Sequence, residues 1–315
     1  METRSDKLPA GKRPVRFIDI HVHIARTRGP RRADGTTYCT PDELVGRLDG
    51  FGIDKAVVMC GICPECRHRY VPPEDVIEAC EQFPDRLIPF CLMDPRGEKN
   101  SPKADFSRYL EFYKNAGCKG VGELIANLHF DDPLVWNLLR QCEAYEMPVT
   151  FHVGPQFGGC YGLVDEVGLP RLEKTLKEFP RLILIAHSQP FWAEVSGDVT
   201  QETRRGYPKG KVAPGGRVPE LMERCDNLYG DLSANSGYNA VSRDPEFGYE
   251  FLERFQDRLF FGTDISGPKT PAPLIGFLND ALKDGHLSRD AYEKIAWRNA
   301  DRLFRLGLAS DGGVE

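Results

Sequence analysis

No apolar run in the sequence approaches the roughly 18 to 20 residues that a helix needs to span a bilayer, so no helical membrane span is expected. A basic excess is also missing: 41 Lys and Arg stand against 47 Asp and Glu, for a formal charge of -6. With a pI near 5.8, the chain offers no overall positive surface to hold nucleic acid, and a nuclease reading is disfavoured. Neither the glycine-rich dinucleotide pattern nor a P-loop occurs. The opening METRSDKLPAGKRPVR lacks the apolar core of a signal peptide, and a cytoplasmic location is expected. Histidine is scarce, with seven in 315 residues, so the places where it falls carry weight.

Hydrophobic residues make up 41% of the 315-residue chain, enough for one large core, and α/β barrels commonly occupy this length as a single domain. Eight β-rich runs, RFIDIHVHI, DKAVVMC, RLIPFCLM, CKGVGEL, MPVTFHVG, RLILIAHS, NLYGDLS and RLFFGTD, alternate with segments long enough to hold a helix. Stretches such as DDPLVWNLLRQCEAYE and LPRLEKTLKEFP between them have apolar residues three and four apart. Thr40, Pro41 and Glu43 form a capping box with proline at the first helical position. Strand then helix, repeated eight times, predicts a single-domain (β/α)8 TIM barrel over residues 14–308, with tails at 1–13 and 309–315.

The first strand raises a chemical question, because FIDIHVH carries three polar residues in a run that should be buried. Simple alternation puts Asp19, His21 and His23 on one face, where they need partners. Barrels of this kind carry reactive groups at the C-terminal ends of their strands. Here His21 and His23 end the first strand, Glu123 the fourth, His152 the fifth, His187 the sixth and Asp264 the eighth. A lone strand histidine is most often a hydrogen-bonded core residue, and Asp264 alone reads as a helix N-cap. Together, imidazole and carboxylate around one rim suit a divalent cation, zinc first.

This ordered set, HVH with His152, His187 and Asp264, resembles the amidohydrolase superfamily, in the branch called amidohydrolase family 2, over about residues 16–308. The resemblance implies a metal held by His21, His23, His152 and Asp264. It implies for His187 either general acid/base work or a place on a second metal. Glu123, in KGVGELIAN, is similar to the fourth-strand glutamate of TatD-type metal-dependent hydrolases, which bridges two metals. With such a bridge, His21, His23, Glu123 and Asp264 would hold one ion, and Glu123, His152 and His187 another; otherwise Glu123 orients a ligand or meets substrate. The implied reaction is hydrolysis of a C–N or C–O bond, with metal-activated water and Asp264 as general base. The alternative within the family is non-oxidative decarboxylation with one metal, as in aminocarboxymuconate-semialdehyde and resorcylate decarboxylases. A noncatalytic, metal-bearing binding protein stands outside the enzyme class.

Loops after the strands should choose the substrate, a small molecule. The longest follows the sixth strand and carries Trp192, Arg204, Arg205, Tyr207, Lys209, Lys211 and Arg217, with Arg26, Arg28, Arg31 and Arg32 after the first. Trp192, Arg204, Arg205 and Tyr207 are the candidate substrate-binding residues, and the arginines bias the rim towards an anionic substrate. Among ten cysteines, Cys80, Cys91, Cys118 and Cys142 sit in apolar positions as small hydrophobes, and reduced thiols are expected. Cys60, Cys63, Cys66 and His68 match a zinc composition, but their two-residue gaps lack a distant CxxC partner. A homo-oligomer is compatible with this composition.

Overall fold

The computed structural model describes residues 17–32, 35–66 and 69–308. The expected tails at 1–13 and 309–315 lie outside the described residues, as does His68.

Strands β1 (Ile18–His23), β2 (Lys55–Met59) and β3 (Leu87–Pro89) pair in parallel, in that order. A second parallel run contains β4 (Val121–Leu124), β5 (Val149–Gly154), β7 (Leu184–His187), β8 (Leu228–Asp231) and β9 (Leu259–Phe260), while β6 (Leu163–Val164) is a two-residue strand beside β5. Backbone bonds cross both gaps between the runs. Cys91 N donates to Gly120 O at 3.0 Å and Gly122 N to Cys91 O at 2.8 Å, joining β3 to β4. On the other side Ile20 N reaches Phe261 O at 3.1 Å, Asp264 N reaches His21 O at 2.8 Å and His23 N reaches Ile265 O at 2.8 Å. With both edges satisfied the sheet closes, and the eight long runs of the sequence are the eight staves of a (β/α)8 barrel in one domain.

Local chemistry starts and stops the helices between the strands. Thr40 accepts from Glu43 N while the Glu43 side chain accepts from Thr40 N, and helix Pro41–Phe51 then ends at Gly52 with φ 70°. Asp132 caps helix Pro133–Ala144 by accepting from Leu134 N at 2.8 Å. One apolar layer, including Val22, Val58, Leu124, Phe151 and Leu184, packs strands against helices. Another, including Ile18, Ile20, Val57, Met59, Ile185 and Phe260, is closed by Phe304 of the last helix.

The pairing of β1 with β2 shifts register between Asp19 and Val22: Asp19 lies opposite Ala56 and Val22 opposite Val58, so three steps on β1 match two on β2. This bulge breaks the simple alternation and corrects the expectation that Asp19 shares a face with His21 and His23. The Asp19 carboxylate instead accepts from Thr263 N at 3.0 Å, from the Thr263 hydroxyl and from His21 N at 3.0 Å. Among the described residues, no helix is long and apolar enough to cross a membrane.

Candidate metal centre

His21 and His23 leave the end of β1 with their Nε2 atoms 3.1 Å apart. Asp264, just past β9, puts Oδ1 3.4 Å from His23 Nε2 and 4.0 Å from His21 Nε2. Glu123 reaches in from β4, with Oε2 3.6 Å from His23 Nε2 and 3.8 Å from His21 Nε2. Among the described residues two sets have ligand atoms close enough to share an ion: His21, His23 and Asp264, and His21, Glu123 and His187. Asp264 adopts a left-handed backbone with φ 55°, a conformation that aspartate tolerates better than most residues. The next helix begins at Pro273, so Asp264 is not its N-cap.

The electrostatics fit a cation. Burial alone would push His21 down, but the Asp231 carboxylate, followed by Glu123 and Asp264, overrides it and raises this imidazole to about 10. Burial also opposes the charge of Glu123, yet the His152 hydrogen bond and the charges of His152, His21 and His187 hold its carboxyl well below the ordinary range. Burial, with Glu123 and Asp231 nearby, holds Asp264 above its ordinary range against the pull of His21 and His187. Carboxylates therefore crowd round imidazoles whose Nε2 atoms converge, and a divalent cation bound by nitrogen and oxygen would offset that negative charge.

His152, expected as a ligand, belongs to neither set. Its Nδ1 lies 2.8 Å from Glu123 Oε1, so the Glu123 carboxylate spans the gap between His152 and the β1 pair. A residue not singled out from sequence lies behind the cluster. Asp231, buried at the end of β8, places Oδ2 2.6 Å from His21 Nδ1 and 3.3 Å from His187 Nδ1. The signal was present in NLYGDLS, a carboxylate at a strand end like the others.

The amidohydrolase family profile matches residues 18–306. The chain belongs to the amidohydrolase family. Solved structures similar to this amidohydrolase include an uncharacterised TIM-barrel protein from Bordetella bronchiseptica, 20% identical, with 93% of this chain and 99% of that one covered at a TM-score of 0.61. The 2,6-dihydroxybenzoate decarboxylase from Rhizobium is 17% identical, with 94% and 100% covered at 0.59. A probable 2-pyrone-4,6-dicarboxylic acid hydrolase from Acinetobacter baumannii, with citric acid bound, is 16% identical, with 92% and 100% covered at 0.56. No curated protein matches.

In this amidohydrolase His23, Glu123 and Asp264 line a cavity of about 590 Å³ together with Arg31, Arg32, Tyr38, Arg69 and Tyr161 among others. Of the arginines expected at the rim, Arg31 and Arg32 line this cavity, and Arg69 does so as well. Arg26 and Arg28 are instead paired with Glu78 and Glu43, and Arg217 with Glu173.

Two of the substrate-binding candidates are corrected. Trp192 is 1% exposed and its Nε1 donates to Asp231 O at 2.8 Å, so it packs beneath the site. Arg204 is fully buried, 3.0 Å from Glu194 Oε1 and 2.8 Å from Asp165 O, and ties the long loop to the barrel. Arg205 bonds to Gln156 and lines a neighbouring cavity of about 610 Å³ with His152, Cys66, Cys160 and Gln189. The Tyr207 hydroxyl accepts from Gln189 Nε2 at 3.1 Å on the exposed loop. All ten cysteines are free, and among the described residues Cys60, Cys63 and Cys66 form no metal cluster.

Proposed function

We propose that this chain is a metal-dependent hydrolase that cleaves a C–N or C–O bond in a small anionic substrate. The observation that carries the reading is that Glu123 Oε2 and Asp264 Oδ1 each lie within 4.0 Å of both His21 Nε2 and His23 Nε2, beside a cavity that His23, Glu123 and Asp264 line. Imidazole nitrogens with carboxylate oxygens suit Zn2+. His21, His23, Asp264 and Glu123 would hold it, with His187 beside them. Such an ion supplies Lewis acidity and lowers the pKa of water.

The chain's own groups supply the rest. The Asp264 side chain keeps 31% of its surface exposed, so its carboxylate can take a proton from water in the cavity and return it to the leaving group. His187, beside the cluster, would accept a hydrogen bond from the reacting water at Nε2. Glu123 supports the TatD-like role, with one oxygen towards the β1 pair and the other on His152. In a two-ion centre Glu123, His152 and His187 would hold the second ion. Arg31, Arg32 and Arg69 face the same cavity and suit a carboxylate on the substrate.

Those three guanidinium groups also favour a second reading, in which the held carboxylate is the one lost as CO2. Isotopes separate the two. The zinc-loaded protein is offered 2-pyrone-4,6-dicarboxylate and 2,6-dihydroxybenzoate in H2(18)O and in D2O. Hydrolysis puts oxygen-18 into the product acid, whereas decarboxylation puts deuterium on carbon. Elemental analysis accompanies both, with one or two zinc per chain expected and a loss in His21→Ala and Glu123→Ala. A wild-type protein that takes up no metal refutes the proposal.

A further inference from the structure

Behind the cluster, a single carboxylate oxygen serves both histidines that face one another across the barrel. Asp231 Oδ2 lies 2.6 Å from His21 Nδ1 and 2.9 Å from Ser233 Oγ, and Ser233 Oγ lies 3.0 Å from His187 Nδ1. His21, Asp231 and Ser233 are fully buried and His187 is 3% exposed, so water is not at hand to replace any of these partners.

The donor inventory leaves one arrangement. An ionised carboxylate only accepts, so His21 Nδ1 must carry a hydrogen and donate it. Ser233 has one hydroxyl proton, which goes to Asp231 Oδ2, and its oxygen is then an acceptor for His187. His187 Nδ1 must therefore carry a hydrogen too. We propose that Asp231 and Ser233 are positioning residues which fix an Nδ1 hydrogen of both His21 and His187 against the barrel wall, so that Nε2 of each ring is the atom turned to the cavity and offered to a metal.

The surroundings are built to keep this pair still. Asp231 Oδ1 accepts from Ser233 N at 2.9 Å, and Asp231 O accepts from the Trp192 indole at 2.8 Å. Just past the neighbouring strand β9, a Cβ on Gly262 would stand 2.8 Å from both Asp231 Oδ1 and Ser233 Cβ, so only glycine lets the chain pass this close. The relay also links the two sets of ligand atoms, since His21 belongs to both and His187 to one. A carboxylate behind a ligating histidine fixes the ring and raises its basicity, and losing one commonly weakens metal binding by about 10 to 100-fold.

The inference rests on the reading that these histidines meet a metal, and its test separates the two. The full chain labelled with nitrogen-15 histidine is prepared as wild type, Asp231→Asn, Ser233→Ala and Ser233→Thr, with His21→Ala and His187→Ala to assign signals. Long-range proton–nitrogen spectra of the rings report the tautomers, and competition with a chelator reports Zn2+ affinity. Expected are Nδ1-protonated His21 and His187 in the wild type and a 10 to 100-fold loss of affinity in D231N. S233A should disturb the His187 signal alone, and S233T should restore it. Wild-type affinity and unchanged tautomers in D231N would overturn the proposal. Should D231N fail to fold, an undisturbed His187 in S233A overturns it instead. A wild type that binds no zinc defeats the metal reading, while the Nδ1 hydrogens of the metal-free rings, which a His21 cation also carries, still decide this one.

Discussion

Arg204 separates a substrate-binding role from a structural one, and its replacement by methionine has a pH signature that can be worked out in advance. Glu194, its partner at 3.0 Å, is 2% exposed, and burial pushes its carboxyl up to about 7 even though Arg204 pulls the other way. Because the folded value lies above the ordinary 4.5, the stability that Glu194 contributes is complete below pH 4.5 and fades as pH rises through about 7. Without Arg204 the folded value climbs further. Below pH 7 Glu194 is protonated in both proteins, and Arg204→Met loses only the bond to Asp165 O and some packing, about 1 to 2 kcal/mol. Above pH 7 the wild type ionises and the variant does not. The gap then widens by about 1.4 kcal/mol per pH unit, towards the roughly 3 to 5 kcal/mol typical of a broken buried pair. Urea unfolding at pH 6, 7, 8 and 9 measures it. A gap that stays flat with pH, or a variant of unchanged stability that binds substrate weakly, would refute the structural role and restore the expectation from sequence.

Arg32→Met and Arg69→Met should each weaken binding of a carboxylate-bearing ligand by about tenfold, the worth of roughly 1.4 kcal/mol, in a calorimetric titration with 2-pyrone-4,6-dicarboxylate; unchanged affinity in both would remove the anionic preference. Gly248→Ala should cost about 3 kcal/mol or more, because its Cβ would fall 1.8 Å from Val241 O where helix Pro245–Arg254 crosses helix Ala234–Ser242. Thermal unfolding within a degree of wild type would mean that those helices separate freely.

Much of the architecture was legible because it follows from short-range rules. Apolar runs bounded by turns mark strands, and Thr40 with Glu43 marks a helix start, whatever lies elsewhere in the chain. The ends of those runs located His21, His23, Glu123, His187 and Asp264, since parallel strands in a barrel all finish on one rim. Side-chain direction was not legible. The β1 bulge took Asp19 from the face that alternation assigns to it, and Arg204 turned inward although it lies in a stretch rich in glycine and charge.

The sequence by itself therefore determined the order of strands and helices, the family, and which imidazoles and carboxylates arrive at the C-terminal mouth. Only the tertiary structure decided their partners: His152 against Glu123 rather than with the β1 pair, Asp231 behind two histidines, Arg204 beside Glu194, and Arg69 on the cavity wall. The physical reason is that periodicity is a property of neighbouring residues, whereas a contact such as His21 with Asp231, 210 positions apart, exists only after the barrel has closed.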